Sequence, residues 1–318
     1  MAEPHRSALA TMAAPLIEDP IAPLPSVTQL HRRNTRRHRR TLARTAAGGA
    51  VLGLVVALIV VLAVPGGSPS PSPSPAPASD LASYVVTATQ VPDSVLQQVG
   101  LPSSVTPPTA VAGQPPLLTD GGLPAVVYVG GEYCPYCALE RWSLVVALSR
   151  FGTFAHLGQA ISSTSNDVDP GLQSWSFHGS SYSSAYLTFD PAEITSATPT
   201  PADNGYTPLD PLSPLQKTAF DAYDAPPYTK DGANAIPFVD VGDRYLTIGS
   251  SASPSVLKGL SLDQIAADLS DPSSPVAQAV DGPANYLIGA LCAVTGRTKP
   301  PGCATSLAAQ TQARLTAS

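Results

Sequence analysis

The sequence predicts an α/β domain that follows a single membrane-spanning helix. The first observation is an uncharged apolar run over residues 46–64. The second is a short apolar stretch over residues 124–129 that leads through Gly130-Gly131 into the motif Cys134-Pro135-Tyr136-Cys137 and then a helical pattern. The third is a β-hairpin pattern over residues 236–248. The chain has 318 residues, but about eighty precede the folded part, so one domain is expected.

The apolar run has the length and surroundings of a membrane anchor. Its nineteen residues carry no charge, and as a helix they reach about 28 Å, enough to cross the hydrocarbon core. Seven arginines lie between residues 32 and 44, and no Lys or Arg follows the run until Arg141. The positive-inside rule therefore puts the N-terminus in the cytoplasm and the folded part outside. A cleaved secretory signal is the alternative, but about forty-five residues precede the run and residues 62–64 form a poor cleavage site.

Composition divides the chain into segments. We expect a disordered basic cytoplasmic tail over 1–45, the transmembrane helix over 46–64 and a Ser/Pro-rich linker over 65–79. A lead-in segment over 80–120, a folded domain over 121–305 and a C-terminal tail over 306–318 follow. From Pro65 onward the chain has 9 Lys and Arg against 20 Asp and Glu. A nucleic-acid partner for the folded part is therefore not expected.

Periodicity predicts the order of elements in the folded part. Strands are expected at 124–129 and 154–161, the second closing a βαβ unit, with short strands at 175–177 and 182–189. Helices are expected at 93–99, 137–151, 215–223, 261–269 and 285–295, and the two strands of the hairpin at 236–241 and 245–248.

The CPYC motif carries the chemistry. Two cysteines three residues apart at the start of a helix come within bonding distance, and the helix dipole favours the thiolate of the first. A proline at the first helical position is compatible with this geometry. Cys134 is thus the expected nucleophile and Cys137 the resolving thiol. A static disulfide and half of a zinc site are the alternatives, but a zinc site would need Cys292 and Cys303, whose spacing does not suit one.

The arrangement of these motifs resembles two known families. A strand, CPYC and a helix, followed about a hundred residues later by Ile236-Pro237 and a hairpin, resembles the thioredoxin superfamily. The CPYC motif itself is similar to that of glutaredoxins. A fuller pattern over about 85–305 resembles a family of actinobacterial and archaeal proteins catalogued as domain of unknown function 929. Its residues are Gly130-Gly131-Glu132-Tyr133-Cys134-Pro135-Tyr136-Cys137, Glu140-Arg141-Trp142, Phe177-His178-Gly179-Ser180-Ser181-Tyr182, Cys292 and Cys303.

The resemblance implies a thioredoxin-like fold with an insertion between the CxxC helix and the cis-proline hairpin, over about 157–230. It implies that Pro237 is a cis-proline beside the CxxC motif, exposing the backbone of Ile236 to a substrate peptide. The insertion is rich in strands and loops, unlike the helical insertion of DsbA-like oxidases, so a substrate groove of that type is not expected.

Further side chains are secondary candidates. Glu132 and Glu140 flank the cysteines and could tune a thiol or relay a proton. The alternatives are a solvated charge for Glu132 and an ion pair with Arg141 or a neighbour for Glu140. His178 has either a structural role or a place near the active site. Cys292 and Cys303 are expected to form a structural disulfide, because thiols outside the cytoplasm seldom stay free, with a second redox pair as the alternative.

The expected function is that of a membrane-anchored extracytoplasmic thiol-disulfide oxidoreductase acting on secreted or envelope proteins. Whether it oxidises, reduces or isomerises depends on a potential that the motif does not fix. A membrane quinone-linked disulfide recycler is an expected partner by analogy. The alternative is a redox-inert binding or scaffold protein of the envelope. A copper chaperone is disfavoured because the chain has only Met1 and Met12, and no motif for a cofactor or metal is visible.

Overall fold

The computed structural model describes residues 83–164, 168–200, 205–229, 234–296, 298 and 300–317. Every described residue belongs to one compact unit, which lies within residues 75–318. The predicted tail 1–45, membrane helix 46–64 and linker 65–79 therefore lie outside the described residues. Within the described ranges, no helix combines the length and apolar character that a membrane span requires.

The described residues form a mixed α/β structure with one six-stranded sheet and three two-stranded sheets. The strands are β1 (Thr109–Ala110), β2 (Thr119–Asp120), β3 (Leu123–Gly130), β4 (Gly152–Ala155), β5 (Gly158–Ile161), β6 (Gln173–Ser176), β7 (Ser181–Ser184), β8 (Thr188–Glu193), β9 (Thr195–Thr200), β10 (Gly205–Pro208), β11 (Phe238–Val241) and β12 (Tyr245–Ile248). The helices are α1 (Ser83–Thr89), α2 (Asp93–Val99), α3 (Pro135–Leu148), α4 (Pro214–Tyr223), α5 (Leu262–Asp268), α6 (Pro275–Thr295) and α7 (Ser306–Ala317).

Strand β3 is the central strand of the large sheet. It pairs in parallel with β8 and antiparallel with β11. Strand β11 forms the predicted hairpin with β12, which pairs with β1, while β2 pairs with the start of β3. Val126 and Tyr128 point into the main core with α3 and α6, whereas Val127 and Val129 point into a second core with α4. Burial on both faces explains why this strand reads as a continuous apolar run.

The parallel neighbour of β3 is β8, so the prediction that residues 154–161 close the βαβ unit is wrong. That segment is interrupted at His156, whose φ is 58°, and forms two separate strands. Strand β4 pairs with β7 and β5 pairs with β6, each pair as a two-stranded antiparallel sheet. Strand β4 alternates between half-buried and exposed residues. Such a strand suits a surface hairpin better than a sheet covered on both faces.

Helix α3 packs in the interior of the domain. Every residue from Pro135 to Leu148 is buried except Tyr136, and even Glu140 and Arg141 are 0% exposed. The indole ring of Trp142 packs against that of Trp175 on β6, with 4.5 Å between ring centroids. The β5–β6 hairpin therefore covers a side of α3 that would otherwise face solvent.

The C-terminal part is more helical than the sequence predicts. Helix α6 begins at Pro275, ten residues before the predicted start, and continues through Pro283. An internal proline usually interrupts a helix, so the residues before Pro283 carry a weaker helical signal in the sequence. Cys292 near the end of α6 forms a disulfide with Cys303, which lies in a 3-10 turn over Pro301–Ala304.

Candidate functional site

Two glycines connect β3 to the CPYC motif. A Cβ atom on Gly130 would lie 2.0 Å from the Tyr128 hydroxyl oxygen, and one on Gly131 would lie 2.8 Å from Thr195 Oγ1. Neither position has room for a side chain, so the chain can turn closely over the end of the sheet. The turn is held by the N–H of Glu132, which donates to the carbonyl oxygen of Thr195 at 2.9 Å.

Cys134 is the N-cap residue of α3. Its backbone is extended, with φ −78° and ψ 122°, and Pro135 occupies the first helical position. The backbone N–H of Cys137 donates to Cys134 Sγ at 3.3 Å. The sulfur thus replaces the side-chain oxygen of an ordinary N-cap and accepts a hydrogen bond from an otherwise unpaired helix donor.

The two thiols differ in their pKa values. Both are free cysteines; Cys134 is 5% exposed and Cys137 is 0% exposed. The side-chain hydrogen bond from Cys137 lowers the pKa of Cys134 most, and the Cys137 backbone N–H and the Arg141 charge lower it further, against the effect of burial. Burial raises the pKa of Cys137 well above its usual value, and its hydrogen bond with Cys134 adds to that rise. Cys134 is therefore the thiol that ionises first.

A buried charged cluster lies beneath the motif. Arg141 follows Cys137 by one helical turn, and its Nη1 donates to Glu193 Oε1 and Oε2 at 3.2 and 3.1 Å. The same nitrogen donates to the Tyr128 hydroxyl at 3.4 Å and to the Gly131 carbonyl oxygen at 3.2 Å. Glu193 is the last residue of β8 and pairs in register with Gly130. The guanidinium thus links α3, β3, β8 and the glycine turn.

Charge and burial compete within this cluster. Burial raises the pKa of Glu193 to about 7, although Arg141 acts to lower it. Burial acts to lower the pKa of Arg141, but the charges around it, Glu193 foremost, raise it on balance. Burial and the neighbouring Glu193 and Cys137 raise the pKa of the Tyr128 hydroxyl well above its usual value. Arg141 is therefore a permanent cation next to the thiol pair.

Glu132 lies at the edge of the motif and is half-buried. Its Oε1 accepts a hydrogen bond from Ser176 Oγ at 2.6 Å. Ser176 Oγ in turn accepts from the backbone N–H of His178 at 3.2 Å. Glu132 is thus fixed two residues before Cys134, and its role in tuning a thiol stays a prediction.

Glu140 points away from Arg141, toward the loop after β12. Its Oε2 accepts from the Ser251 N–H at 3.3 Å, and its Oε1 has no hydrogen-bond partner among the described residues. Burial raises its pKa to about 7. The alternative of an ion pair with Arg141, raised from the sequence, is wrong because Arg141 pairs with Glu193.

Neutralising Glu140 should change how stability depends on pH. A carboxyl group with a raised folded pKa binds more protons in the native state, so stability falls as pH rises from about 4.5 to about 7. We expect Glu140→Gln to raise the free energy of unfolding by about 2–3 kcal/mol at pH 8 and to change it little at pH 4. Urea titrations at both pH values test this; an equal change at both would mean that the carboxyl group is not protonated on folding.

Pro237 lies at the same end of the sheet as the motif. The Ile236–Pro237 peptide bond is cis. Phe238, the first residue of β11, pairs with Val129 of β3. The register thus puts the Ile236–Pro237 bond beside the segment that leads from Gly130 to Cys134.

Two other features surround the motif. The rings of Tyr133 and Tyr206 stack with 4.2 Å between centroids, which joins the β9–β10 hairpin to the turn before Cys134. His178 Nδ1 lies 2.6 Å from Asp210 Oδ1, and Asp210 Oδ2 accepts from the Glu193 N–H at 3.0 Å. His178 is therefore part of a polar network that reaches the buried cluster through the backbone of Glu193.

A comparison with known families matches the part of the chain that contains the CPYC motif. Residues 111–210 match the family described as Domain of unknown function (DUF929). The stretch that matches DUF929 contains both motif cysteines, Arg141 and Glu193, and it ends before Pro237 and the disulfide. No curated protein and no solved structure matches the chain.

Sequence reasoning did not find Arg141, Glu193 or Tyr128 as site residues. Arg141 lies within the DUF929 match, four residues after Cys137, a spacing that puts both on one face of a helix. That spacing is the feature of the sequence that could have identified Arg141. No feature of the sequence could have identified Glu193, because it is 52 residues from Arg141 and only the β3–β8 pairing brings the two together. Within the described residues, no group of three or more His, Cys, Asp or Glu side chains could hold a metal ion.

Proposed function

We propose that this protein is a membrane-anchored extracytoplasmic thiol-disulfide oxidoreductase that exchanges disulfides with secreted or envelope proteins through Cys134 and Cys137. One observation carries the proposal: Cys134 caps a helix with its sulfur and has a lowered pKa, while Cys137 next to it is held neutral. Two thiols with separated pKa values suit the two successive steps of an exchange reaction.

The proposed reaction has two steps. The Cys134 thiolate attacks a client disulfide, one client sulfur leaves as a thiolate, and a Cys134–client mixed disulfide forms. Cys137 then attacks Cys134 Sγ, forms the Cys134–Cys137 disulfide and releases the second client sulfur in reduced form. In the opposite direction the oxidised pair transfers its disulfide to a dithiol client, and a membrane quinone-linked recycler would reoxidise it.

The arrangement of the sheet supports a thioredoxin-like fold. The order β8–β3–β11–β12, with one parallel and two antiparallel pairings, has the redox motif at the carboxyl end of its central strand. The cis Ile236–Pro237 bond precedes β11 at that same end. Strands β4 to β7 lie between α3 and β8 in the chain, and β9, β10 and α4 lie between β8 and β11. The segment expected as one insertion over 157–230 is therefore divided by β8, a strand of the main sheet.

Membrane anchoring is supported by the sequence. The run over 46–64 is uncharged and follows seven arginines, so an extracytoplasmic domain on a Ser/Pro-rich linker fits this pattern.

The near-complete burial of the motif favours a second candidate function. Cys134 is only 5% exposed, which suits a redox-inert thioredoxin-fold scaffold. Tyr136 within the motif is 42% exposed, however, so a client can approach the start of α3.

The reduction potential separates the two functions. The full chain, kept in detergent, is equilibrated with glutathione buffers, and each cysteine pair is then alkylated and scored by mass. We expect the Cys134–Cys137 pair to titrate above about −300 mV, because a lowered thiol pKa stabilises the reduced form. The Cys292–Cys303 disulfide is the internal control and should stay oxidised. A motif that also resists glutathione would favour the scaffold.

A further inference from the structure

The approach of a client to Cys134 is restricted by the segments around it. Cys134 is 5% exposed, although in the proposed reaction its sulfur has to come into line with a client disulfide. A client therefore reaches Cys134 Sγ more readily when a neighbouring segment moves. Which segment moves depends on how firmly each is held against the turn at residues 130–133.

Two of these segments are held by the interior of the domain. The β5–β6 hairpin contacts the turn through Ser163, whose N–H donates to the carbonyl oxygen of Tyr133 at 2.8 Å. That hairpin is fixed in the main core by Leu172 and Trp175, which are both 0% exposed. The Ile236–Pro237 bond leads directly into β11, a buried strand of the large sheet. Neither segment can move without opening the core or the sheet.

The β9–β10 strand pair is held less firmly. None of the described side chains of these two strands packs in either hydrophobic core. Two strands without a core of their own are only marginally stable in water. Pro199 and Pro208 have no N–H to donate, and the register of the pair shifts between Tyr206 and Pro208. A strand pair held in this way opens locally at a lower free energy than the core does.

A ring stack fixes this strand pair to the turn. The rings of Tyr133 and Tyr206 are nearly parallel, with an interplanar angle of 11°. A Cβ atom on Gly131 would lie 2.9 Å from Tyr133 Cε1, so the Tyr133 ring also packs against the backbone of Gly131. Because Cys134 is the next residue, the position of the turn that carries the nucleophile depends on Tyr206.

We propose that Tyr206 is a positioning residue that controls the access of clients to Cys134. Its stack on Tyr133 keeps the turn closed around the sulfur, and release of the β9–β10 pair opens it. This inference rests on the proposed function and concerns the regulation of the same site. Tyr206 takes no part in the bond changes. Because a stacked ring pair shifts an equilibrium about three- to tenfold, the closed form predominates but opens often enough for exchange.

The test measures how fast Cys134 is alkylated in the full chain, kept in detergent with the motif reduced. Iodoacetamide is the probe, and peptide mass spectrometry scores each motif cysteine separately. Because opening precedes alkylation, Tyr206→Ala should raise the rate at Cys134 about three- to tenfold, the factor that the stack supplies. An unchanged or lower rate would overturn the proposal.

Two matched variants show whether the ring stack is responsible. Tyr206→Phe keeps the ring, so its rate should stay within about twofold of that of the natural sequence. Tyr186 is also half-buried, but it precedes β8, at the end of that strand opposite Glu193. Tyr186→Ala should therefore leave the rate unchanged. A rate raised equally in either control would mean that the stack does not set access.

Two further readouts separate access from a change in ionisation and from unfolding. Easier access raises the alkylation rate at every pH and leaves the inflection of the Cys134 thiolate where it is. A shifted inflection with an unchanged plateau would contradict the proposal. Cys137 is 0% exposed, so its alkylation should stay slow in Tyr206→Ala. If both cysteines react faster by the same factor, the domain is unfolding and the proposal fails.

Ellman's disulfide as the client separates this proposal from the proposed function. Attack by Cys134 releases thionitrobenzoate, and Tyr206→Ala should release it faster by the same factor as in alkylation. If the natural sequence releases none while alkylation still responds to Tyr206→Ala, the proposed function fails and the control of access stands. If thionitrobenzoate is released but Tyr206→Ala changes neither rate, the function stands and the control of access fails.

Discussion

Replacing Cys134 with serine is expected to abolish disulfide exchange, lowering its rate at least about a thousandfold, because a serine hydroxyl is not ionised near neutral pH. The fold should tolerate the change. A serine oxygen is a good N-cap acceptor and can take the hydrogen bond that Cys137 N–H now donates to the sulfur. Client reduction or oxidation and thermal unfolding, measured on the same preparation, test both parts.

Replacing Cys137 with alanine removes the other motif thiol and should have the opposite result, a protein that stays bound to its client. Cys134 still attacks the client, but no second thiol resolves the mixed disulfide, so the adduct accumulates. Non-reducing electrophoresis with mass spectrometry would identify the trapped clients. The Cys134→Ser/Cys137→Ala double variant should trap none. Equal trapping by the double variant would assign the adducts to other cysteines and contradict the role of Cys134.

The sequence could predict the elements that local patterns determine. The strand before the motif, the CPYC helix and the hairpin over β11 and β12 all follow from apolar periodicity and turn residues, and the structure has each within a few residues. The predicted strand over 182–189 merges the end of β7 with the start of β8, and it ends before β8 does because Asp190-Pro191 is a typical turn signal. Both residues instead lie inside β8. Among the described strands β8 pairs only with β3, and an edge strand tolerates proline because one side needs no donor.

Because β8 is expected to end before Asp190, the sequence does not predict Glu193, the acidic partner of Arg141, as part of the candidate site. Glu193 lies three residues past Asp190, in a region that read as loop, so its carboxylate was not expected under the motif. The sequence favours Glu132 and Glu140 as site carboxylates because they flank the cysteines. Glu140 accepts a hydrogen bond from Ser251, far along the chain, whereas Arg141, the next residue in the helix, donates to Glu193. Neighbours in a helix point in different directions, so proximity to the cysteines in sequence does not predict which carboxylate joins the buried cluster.

Replacing Arg141 with methionine is expected to destabilise the domain by about 3–5 kcal/mol, because it leaves the Glu193 carboxyl group buried without its partner. It also removes hydrogen bonds to Tyr128 and Gly131, which hold the turn before the motif. The charge that lowers the pKa of Cys134 disappears as well, so that pKa should rise. Urea unfolding and the pH dependence of Cys134 alkylation measure the two effects.

Arg150 provides the control, because it lies two residues beyond the end of α3 and makes its ion pair with Asp93 instead of with Glu193. Its side chain is 17% exposed and also donates to the Val91 carbonyl oxygen, so Arg150→Met should itself cost about 1–3 kcal/mol but leave Cys134 alkylation unchanged. Adding Glu193→Leu to Arg141→Met should restore much of the lost stability, because no buried charge is then left unpaired. Exchange in that double variant should stay slow. Recovery of both stability and exchange would mean that the pair only fills space beneath the thiols.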